Sequence, residues 1–107
     1  ELVLKVGQGV LVSDGHPQVS PDRRWLVTDT YPNRFMQQDL IIHDLYSGKR
    51  HILARMKIPF RYRYDVRCDF HPRWNRSGSS ICFDSAHSGH RSLYILNVEE
   101  YLKAVRI

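Results

Sequence analysis

Short runs of apolar residues, each bounded by turn-forming residues, divide the chain into segments of strand length. Residues 25–28 (WLVT) and 81–83 (ICF) are rich in the β-branched and aromatic residues typical of strands. Residues 20–22 (SPD) precede the first run and residues 75–78 (NRSG) precede the second, and these residue types favour tight turns. The pattern therefore predicts β-hairpins.

The chain also repeats itself after 55 residues. Residues 16–29 align with residues 71–84 without a gap, and both copies hold a His-Pro pair, a turn, and an apolar run that ends in Asp. After a small change in length, residues 40–45 align with residues 93–98. We therefore predict that each repeat unit forms a hairpin followed by a third strand.

Residues 50–54 follow a turn and give the first unit a fourth strand, and about four antiparallel strands in such a unit are typical of a β-propeller blade. We predict an all-β chain of about two four-stranded antiparallel blades, at residues 14–56 and 69–107. A basic and aromatic loop at residues 57–68 connects them. Residues 1–13 are expected to be the outer strand or strands of a preceding blade, and the last blade ends in a short helical tail.

Two blades cannot close a ring, because propellers have about four to eight blades and two open blades would expose sheet edges. We therefore expect this chain to be part of a larger propeller, whose remaining blades are its partners. The second unit lacks a fourth strand after Val98. In a closed ring, that strand is often supplied by the other end of the chain.

Composition adds a preference for anionic partners. The chain has 107 residues, of which 42% are hydrophobic, and its net charge is +5. Twelve of its sixteen cationic residues are Arg, which favours bidentate recognition of carboxylate, sulfate or phosphate. The cations are distributed along the chain without a nucleic-acid-binding motif, so a nucleic-acid partner is not expected. No run approaches the roughly 18 to 20 apolar residues that span a bilayer. The two cysteines could form one disulfide or none, so they do not indicate whether the protein is in an oxidising or a reducing compartment.

The first repeat, His-Pro-x-x-Ser-Pro-Asp followed by an apolar run and Asp, resembles the repeat of the TolB-like propellers. A narrower resemblance is to the last blades of the oligogalacturonate lyase and ulvan lyase group. It rests on four segments: residues 14–17 (DGHP), 28–32 (TDTYP), 67–75 (RCDFHPRWN) and 82–85 (CFDS). This resemblance implies a secreted or periplasmic, seven-bladed enzyme that cleaves a uronate-containing glycan by β-elimination. The alternative is a non-catalytic TolB-like propeller that binds a protein or glycan partner.

Such an elimination needs a cation to neutralise the uronate carboxylate, a base for the C5 proton and an acid for the leaving oxygen. The resemblance implies that Arg67 neutralises the carboxylate and that Tyr64 donates a proton or contacts the substrate. Arg61, Tyr62 and Arg63 belong to the same stretch, FRYRYDVR, and would bind the anionic chain. A solvated amphipathic connector would show the same alternation of arginines and aromatic residues. The resemblance places the catalytic histidines in blades outside this chain.

His16 and His71 occupy equivalent positions in adjacent units and are expected to approach each other near the propeller axis. Asp14 and Asp69 each lie two residues before one of them, and Cys82 lies on the next strand. Two imidazoles, a carboxylate and a thiolate suit zinc, and the resemblance to the ulvan lyases implies a structural zinc ion on Asp14, His16, His71 and Cys82. Asp69 is the alternative carboxylate, or an acceptor for an imidazole N–H. In the competing interpretation, the His-Pro and Asp residues stabilise turns and Cys82 is a small buried side chain.

The remaining candidates have simpler predicted roles. His87 and His90 lie in a loop after the second hairpin and are expected to be solvated. Trp25 and Trp74 are expected to pack between blades.

Overall fold

The computed structural model describes residues 3–11 and 13–105, and its first unit is a four-stranded antiparallel sheet paired in chain order. The strands are β1 (Gln18–Val19), β2 (Trp25–Asp29), β3 (Gln37–Asp44) and β4 (Arg50–Lys57). The turn between β1 and β2 depends on Ser20, whose hydroxyl donates to Asp22 (2.6 Å) and accepts from the backbone N–H of Trp25 (3.0 Å). The predicted Ser-Pro-Asp turn is therefore held by its own side chains.

The second unit is a three-stranded antiparallel sheet followed by a short helix. Its elements are β5 (Arg73–Trp74), β6 (Ser80–Ser85), β7 (Ser92–Asn97) and α1 (Glu99–Val105). The Asn97 side chain accepts a hydrogen bond from the Glu99 backbone N–H (3.1 Å), as an N-terminal helix cap does. Leu102 is the buried residue of α1, and it anchors the helix to the core.

The core lies between the two sheets. Residues that alternate along β2 and β3, such as Val27, Leu40 and Ile42, are fully buried. They share one hydrophobic cluster with Ile81 and Phe83 of β6. The starts of β1 and β5 lie side by side, and the backbone N–H of Trp74 donates to the Gln18 side chain (2.6 Å). Trp25 is buried in this core and Trp74 contacts the other sheet, as predicted.

The connector between the sheets crosses the same core. Ile58 is 2% exposed, and its backbone N–H donates to the Met36 carbonyl (2.7 Å). At the far end, the buried Gln38 side chain donates to the Cys68 carbonyl (3.2 Å). Between these anchors the connector forms a 3₁₀ turn at Tyr64–Val66. Both ends of the connector are thus fixed, which positions Arg67 beside the first sheet.

The two antiparallel sheets confirm the predicted all-β architecture, with four strands in the first blade and three in the second. The strand expected within residues 1–13 is not found in the described part of that stretch, residues 3–11 and 13. Gly7 and Gly9 have positive φ values there, and the Leu11 N–H donates to the Gly7 carbonyl (2.7 Å), so the chain turns back. Among the described residues, no helix is long and apolar enough to cross a membrane.

Candidate functional site

A buried carboxylate joins the beginnings of the two blades. Asp29 lies at the end of β2 and is 1% exposed. Its Oδ1 accepts the backbone N–H of His16 (2.6 Å), and its Oδ2 accepts the backbone N–H of His71 (3.0 Å). The ring Nδ1 of His16 lies 3.1 Å from both oxygens. Hydrogen bonds to a charged acceptor are roughly twice as strong as neutral ones, so Asp29 holds both histidine segments in place.

Gly15 permits this close approach. A Cβ atom at position 15 would lie 1.9 Å from the Asp29 carbonyl oxygen and 2.9 Å from its Oδ1. Real Cβ atoms do not approach backbone this closely, so any larger residue would push His16 away from the carboxylate. The packing of the site therefore requires glycine at position 15, directly before His16.

The two histidines stack on each other. Their ring centroids are 3.8 Å apart with an interplanar angle of 29°, and the ring of Tyr31 meets His16 edge-on at 5.7 Å. His71 has a φ of 43°, a backbone conformation that non-glycine residues seldom adopt. The hydrogen bond to Asp29 retains this strained residue in position. The repeat thus brings equivalent histidines together, as the sequence predicts.

A possible metal-binding group forms here, but with different members from the predicted set. Donor atoms of His16, Asp69 and His71 all lie within 4.8 Å of one another. Asp14 and Cys82 are not members of this group. Asp14 is exposed, because the extended strand begins only at Gln18 and the alternation expected for residues 14–16 does not apply.

Cys82 lies opposite Arg73 in the β5–β6 ladder, and its Sγ is 3.5 Å from the Arg73 guanidinium. The four-ligand set predicted from the sequence is thus not assembled, whereas the alternative carboxylate, Asp69, is in place. Two imidazoles and a carboxylate are a suitable donor set for a divalent cation such as zinc. The Asp29 contact at Nδ1 of His16 would leave Nε2 as the ligand atom, the arrangement common for metal-binding histidines.

Arg67 lies next to this group and shares Asp69 with it. Its Nε donates to both carboxylate oxygens of Asp69, at 2.9 and 3.2 Å. The charge of Asp69 raises the pKa of Arg67 above its ordinary value. The guanidinium carbon lies 4.3 Å from the centre of the Tyr31 ring, and Nη1 donates to the Tyr64 carbonyl (3.3 Å). These contacts fix the plane of the guanidinium.

Arg67 and Tyr64, the two predicted catalytic residues, line one cavity of about 450 Å³ together with Tyr31 and Arg63. Tyr64 is 78% exposed and has a φ of 53°, which turns the chain at the beginning of the 3₁₀ segment. The structure therefore brings the predicted pair together, with Tyr31 as an additional tyrosine in the lining.

The three predicted substrate-binding residues have different surroundings. Arg63 lines the cavity, and its guanidinium lies 4.1 Å from the ring centre of Phe60. The Arg61 guanidinium donates to the Gly89 carbonyl, and the Tyr62 hydroxyl contacts the same oxygen (3.3 Å). Arg61 and Tyr62 thus attach the connector to the loop before β7. Only Arg63 of the three belongs to the cavity beside Arg67.

Asp29 and Tyr31 are site residues that the sequence reasoning did not assign. Both lie in the TDTYP segment, and Asp29 is the Asp that ends the apolar run in the repeat. The sequence repeat therefore already marked the position of Asp29. What the sequence did not show is that the Asp29 side chain turns towards the next blade and accepts hydrogen bonds from both histidine segments.

Comparisons with known proteins support the fold. No protein-family model matches the chain, and no curated protein matches it. The structure is similar to the crystal structure of TolB from Acinetobacter baumannii, with a TM-score of 0.61 over 79% of this chain and 16% sequence identity. The chain spans 18% of the length of that TolB chain. At this identity the likeness concerns the fold alone, and the chain has a TolB-like β-propeller fold.

Proposed function

We propose that this chain is part of a propeller polysaccharide lyase that cleaves an acidic, uronate-containing glycan of the ulvan or oligogalacturonate type by β-elimination. The observation that carries the proposal is the cavity in which Arg67, Tyr64 and Tyr31 meet, next to His16 and His71. A fixed guanidinium, phenol groups and imidazoles are the groups that this chemistry uses.

Arg67 is the residue that would neutralise the uronate carboxylate. Its Nε is bound to Asp69, Nη1 donates to the Tyr64 carbonyl and Tyr31 contacts the guanidinium, while 35% of the side chain remains exposed to a ligand. Because Tyr31 and Asp69 already hold the guanidinium plane, little side-chain entropy is lost when a carboxylate binds. Removing the negative charge of the uronate makes its C5 proton more acidic.

The elimination itself transfers two protons. A base removes the C5 proton, the C4–O bond breaks as the C4–C5 double bond forms, and the leaving oxygen takes up a proton. Tyr64 supplies that second proton in our proposal, because its ring is exposed beside Arg67 on a backbone of fixed, unusual conformation. We assign the base to none of the described residues.

A divalent cation, which we propose to be zinc, would be held by His16, Asp69 and His71. Bound there, it would add positive charge beside Arg67 and link the two blades. Asp29 would set the tautomer of His16 for this role.

Further blades of the same propeller are the proposed protein partners. The outer face of the second sheet exposes Leu93 by 61% and Ile95 by 75%, on the strand that forms the edge of the sheet. An apolar face beside an open sheet edge is what a neighbouring blade would cover.

The direct test is turnover. Because the base is expected in other blades, the full-length protein with its remaining blades is incubated with ulvan and polygalacturonate, and ultraviolet absorbance follows the unsaturated uronate ends. We expect Arg67→Ala to lower kcat by about 100- to 1,000-fold, the loss typical for removal of one electrostatic group. Arg76→Ala, an exposed arginine in the β5–β6 turn, is the matched control and should turn over normally.

Two negative outcomes have different meanings. If the protein binds uronate chains but releases no unsaturated product, the lyase proposal is wrong and the non-catalytic glycan-binding propeller is supported. If it binds no acidic glycan, both the substrate class and the role of Arg67 are wrong.

A further inference from the structure

A second cavity adjoins the one beside Arg67. It has a volume of about 590 Å³ and lies between the beginning of β3, the end of β4 and the loop before β7. Both cavities are lined by Arg34, Met36 and Phe60. The two cavities are therefore neighbours, and we refer to them together as the groove; the proposed reaction uses only the cavity beside Arg67.

The charge of this second cavity is unbalanced. Arg34 and Lys57 line it, and neither has a carboxylate within ion-pair distance among residues 3–11 and 13–105. By contrast, Arg55 on the same strand as Lys57 is paired with Asp39 at 2.7 Å. The described residues that line the two cavities include no Asp or Glu. A groove with unpaired cations attracts anionic ligands.

Aromatic rings accompany the cations. Phe35 is 60% exposed and Phe60 is 65% exposed, although both are large and apolar. The Arg34 guanidinium lies 4.9 Å from the ring centre of Phe35. Exposed rings beside guanidinium groups offer flat surfaces for sugar rings and charges for their substituents.

His87 also lines the cavity, and two neighbouring side chains hold it in place. Its Nδ1 lies 2.7 Å from the hydroxyl of the fully buried Ser85, and its ring lies 4.7 Å from the ring of Tyr94. When the Ser85 hydroxyl donates to Nδ1, the ring proton is on Nε2, which makes His87 a donor for an anion.

We propose that this second cavity is an additional subsite for a sugar unit that carries an anionic group. The ligand of the groove is then a linear, polyanionic oligosaccharide with charged units at both ends of the groove. This inference rests on the proposed function, since it extends the ligand bound at Arg67 into the cavity at Lys57. Carboxylate and sulfate groups share the chemistry that Arg34 and Lys57 recognise.

The test compares ligand length by isothermal titration of the protein with galacturonate dimers and hexamers. The hexamer should bind at least tenfold more tightly than the dimer, which is about 1.4 kcal/mol. Lys57→Ala should reduce that ratio to about threefold or less, as expected for loss of a charge contact. The control is Lys49→Ala, an exposed lysine in the β3–β4 turn, which should keep the full ratio.

The outcomes separate this inference from the function on which it rests. An unchanged ratio in Lys57→Ala, or equal binding of dimer and hexamer by the unsubstituted protein, would overturn the second subsite while leaving the lyase proposal intact. Failure of both galacturonate lengths and of sulfated, uronate-containing oligosaccharides to bind would overturn both. Replacing galacturonate by sulfated oligosaccharides distinguishes the two anions, and tighter binding of a single-stranded polynucleotide than of any glycan would contradict the proposed ligand class.

Discussion

Removal of the Asp29 carboxylate should loosen the contact between the blades. In Asp29→Ala, the backbone N–H groups of His16 and His71 lose their acceptor in a region where Asp29 is 1% exposed. A buried donor left without a partner costs about 1–3 kcal/mol, so the two donors together cost about 2–6 kcal/mol. We expect a loss of about 4 kcal/mol in the free energy of unfolding, within that range.

The repeat supplies a matched control for this experiment. Asp84 is the counterpart of Asp29 in the second blade, but its side chain is 43% exposed and its partner Arg73 lies at 3.4 Å. Asp84→Ala should therefore cost less than about 1 kcal/mol. Asp29→Asn, which keeps the size of the side chain and one acceptor oxygen, should fall between the two variants.

The assay is urea unfolding of the protein followed by tryptophan fluorescence, with the free energies extrapolated to water. If Asp29→Ala loses less than about 1 kcal/mol, or no more than Asp84→Ala, the carboxylate does not join the blades and the reasoning fails.

Three further predictions concern the same region. Gly15→Ala should cost about 3 kcal/mol in the free energy of unfolding, because its Cβ would lie 1.9 Å from the Asp29 carbonyl oxygen; a neutral effect in urea unfolding would show that the backbone can move away. Added zinc should raise the melting temperature of the protein but not of His71→Ala, whereas Cys82→Ala should respond normally, and a response that needs Cys82 would restore the ligand set predicted from the sequence. Burial lowers the pKa of His43, so the unfolded state takes up its proton first and stability should fall as the pH decreases below about 6.5. His43→Leu should reduce that pH dependence of the urea midpoint, and an unchanged dependence would contradict the buried, neutral state.

The blade architecture could be predicted because its signals are local. Residues 25–28 and 81–83 became β2 and β6, since each run of strand-forming residues follows a turn that closes on its own side chains. The helix cap at Asn97 is equally local. The strand expected within residues 1–13 is not seen in residues 3–11 and 13, where Gly7 and Gly9 turn the chain.

The site was only partly predictable, because its contacts cross between blades. The repeat placed His16 and His71 side by side, as equivalent positions in neighbouring blades require. The other predicted members of the metal site depended on which way each side chain points. Asp14 precedes the extended segment and Cys82 lies beside Arg73, whereas Asp69, the alternative carboxylate, lies with the histidines.

The roles of the connector residues were also only partly predictable from the sequence. Its alternation of arginines and aromatic residues predicted a ligand-facing surface, and Arg63, Tyr64 and Arg67 do line a cavity. Arg61 and Tyr62, in the same alternating stretch, instead attach to the Gly89 carbonyl. The 3₁₀ turn at Tyr64–Val66 breaks the regular alternation. The alternation in the sequence alone therefore could not show which of these residues line the cavity and which attach to the Gly89 carbonyl.

The most direct measurement is a crystal structure of the protein with a uronate oligosaccharide bound. Our account predicts a sugar carboxylate within hydrogen-bond distance of the Arg67 guanidinium, with the sugar ring between Tyr31 and Tyr64 and the next unit towards Lys57. An oligosaccharide bound elsewhere, with Arg67 still paired only to Asp69, would contradict the account.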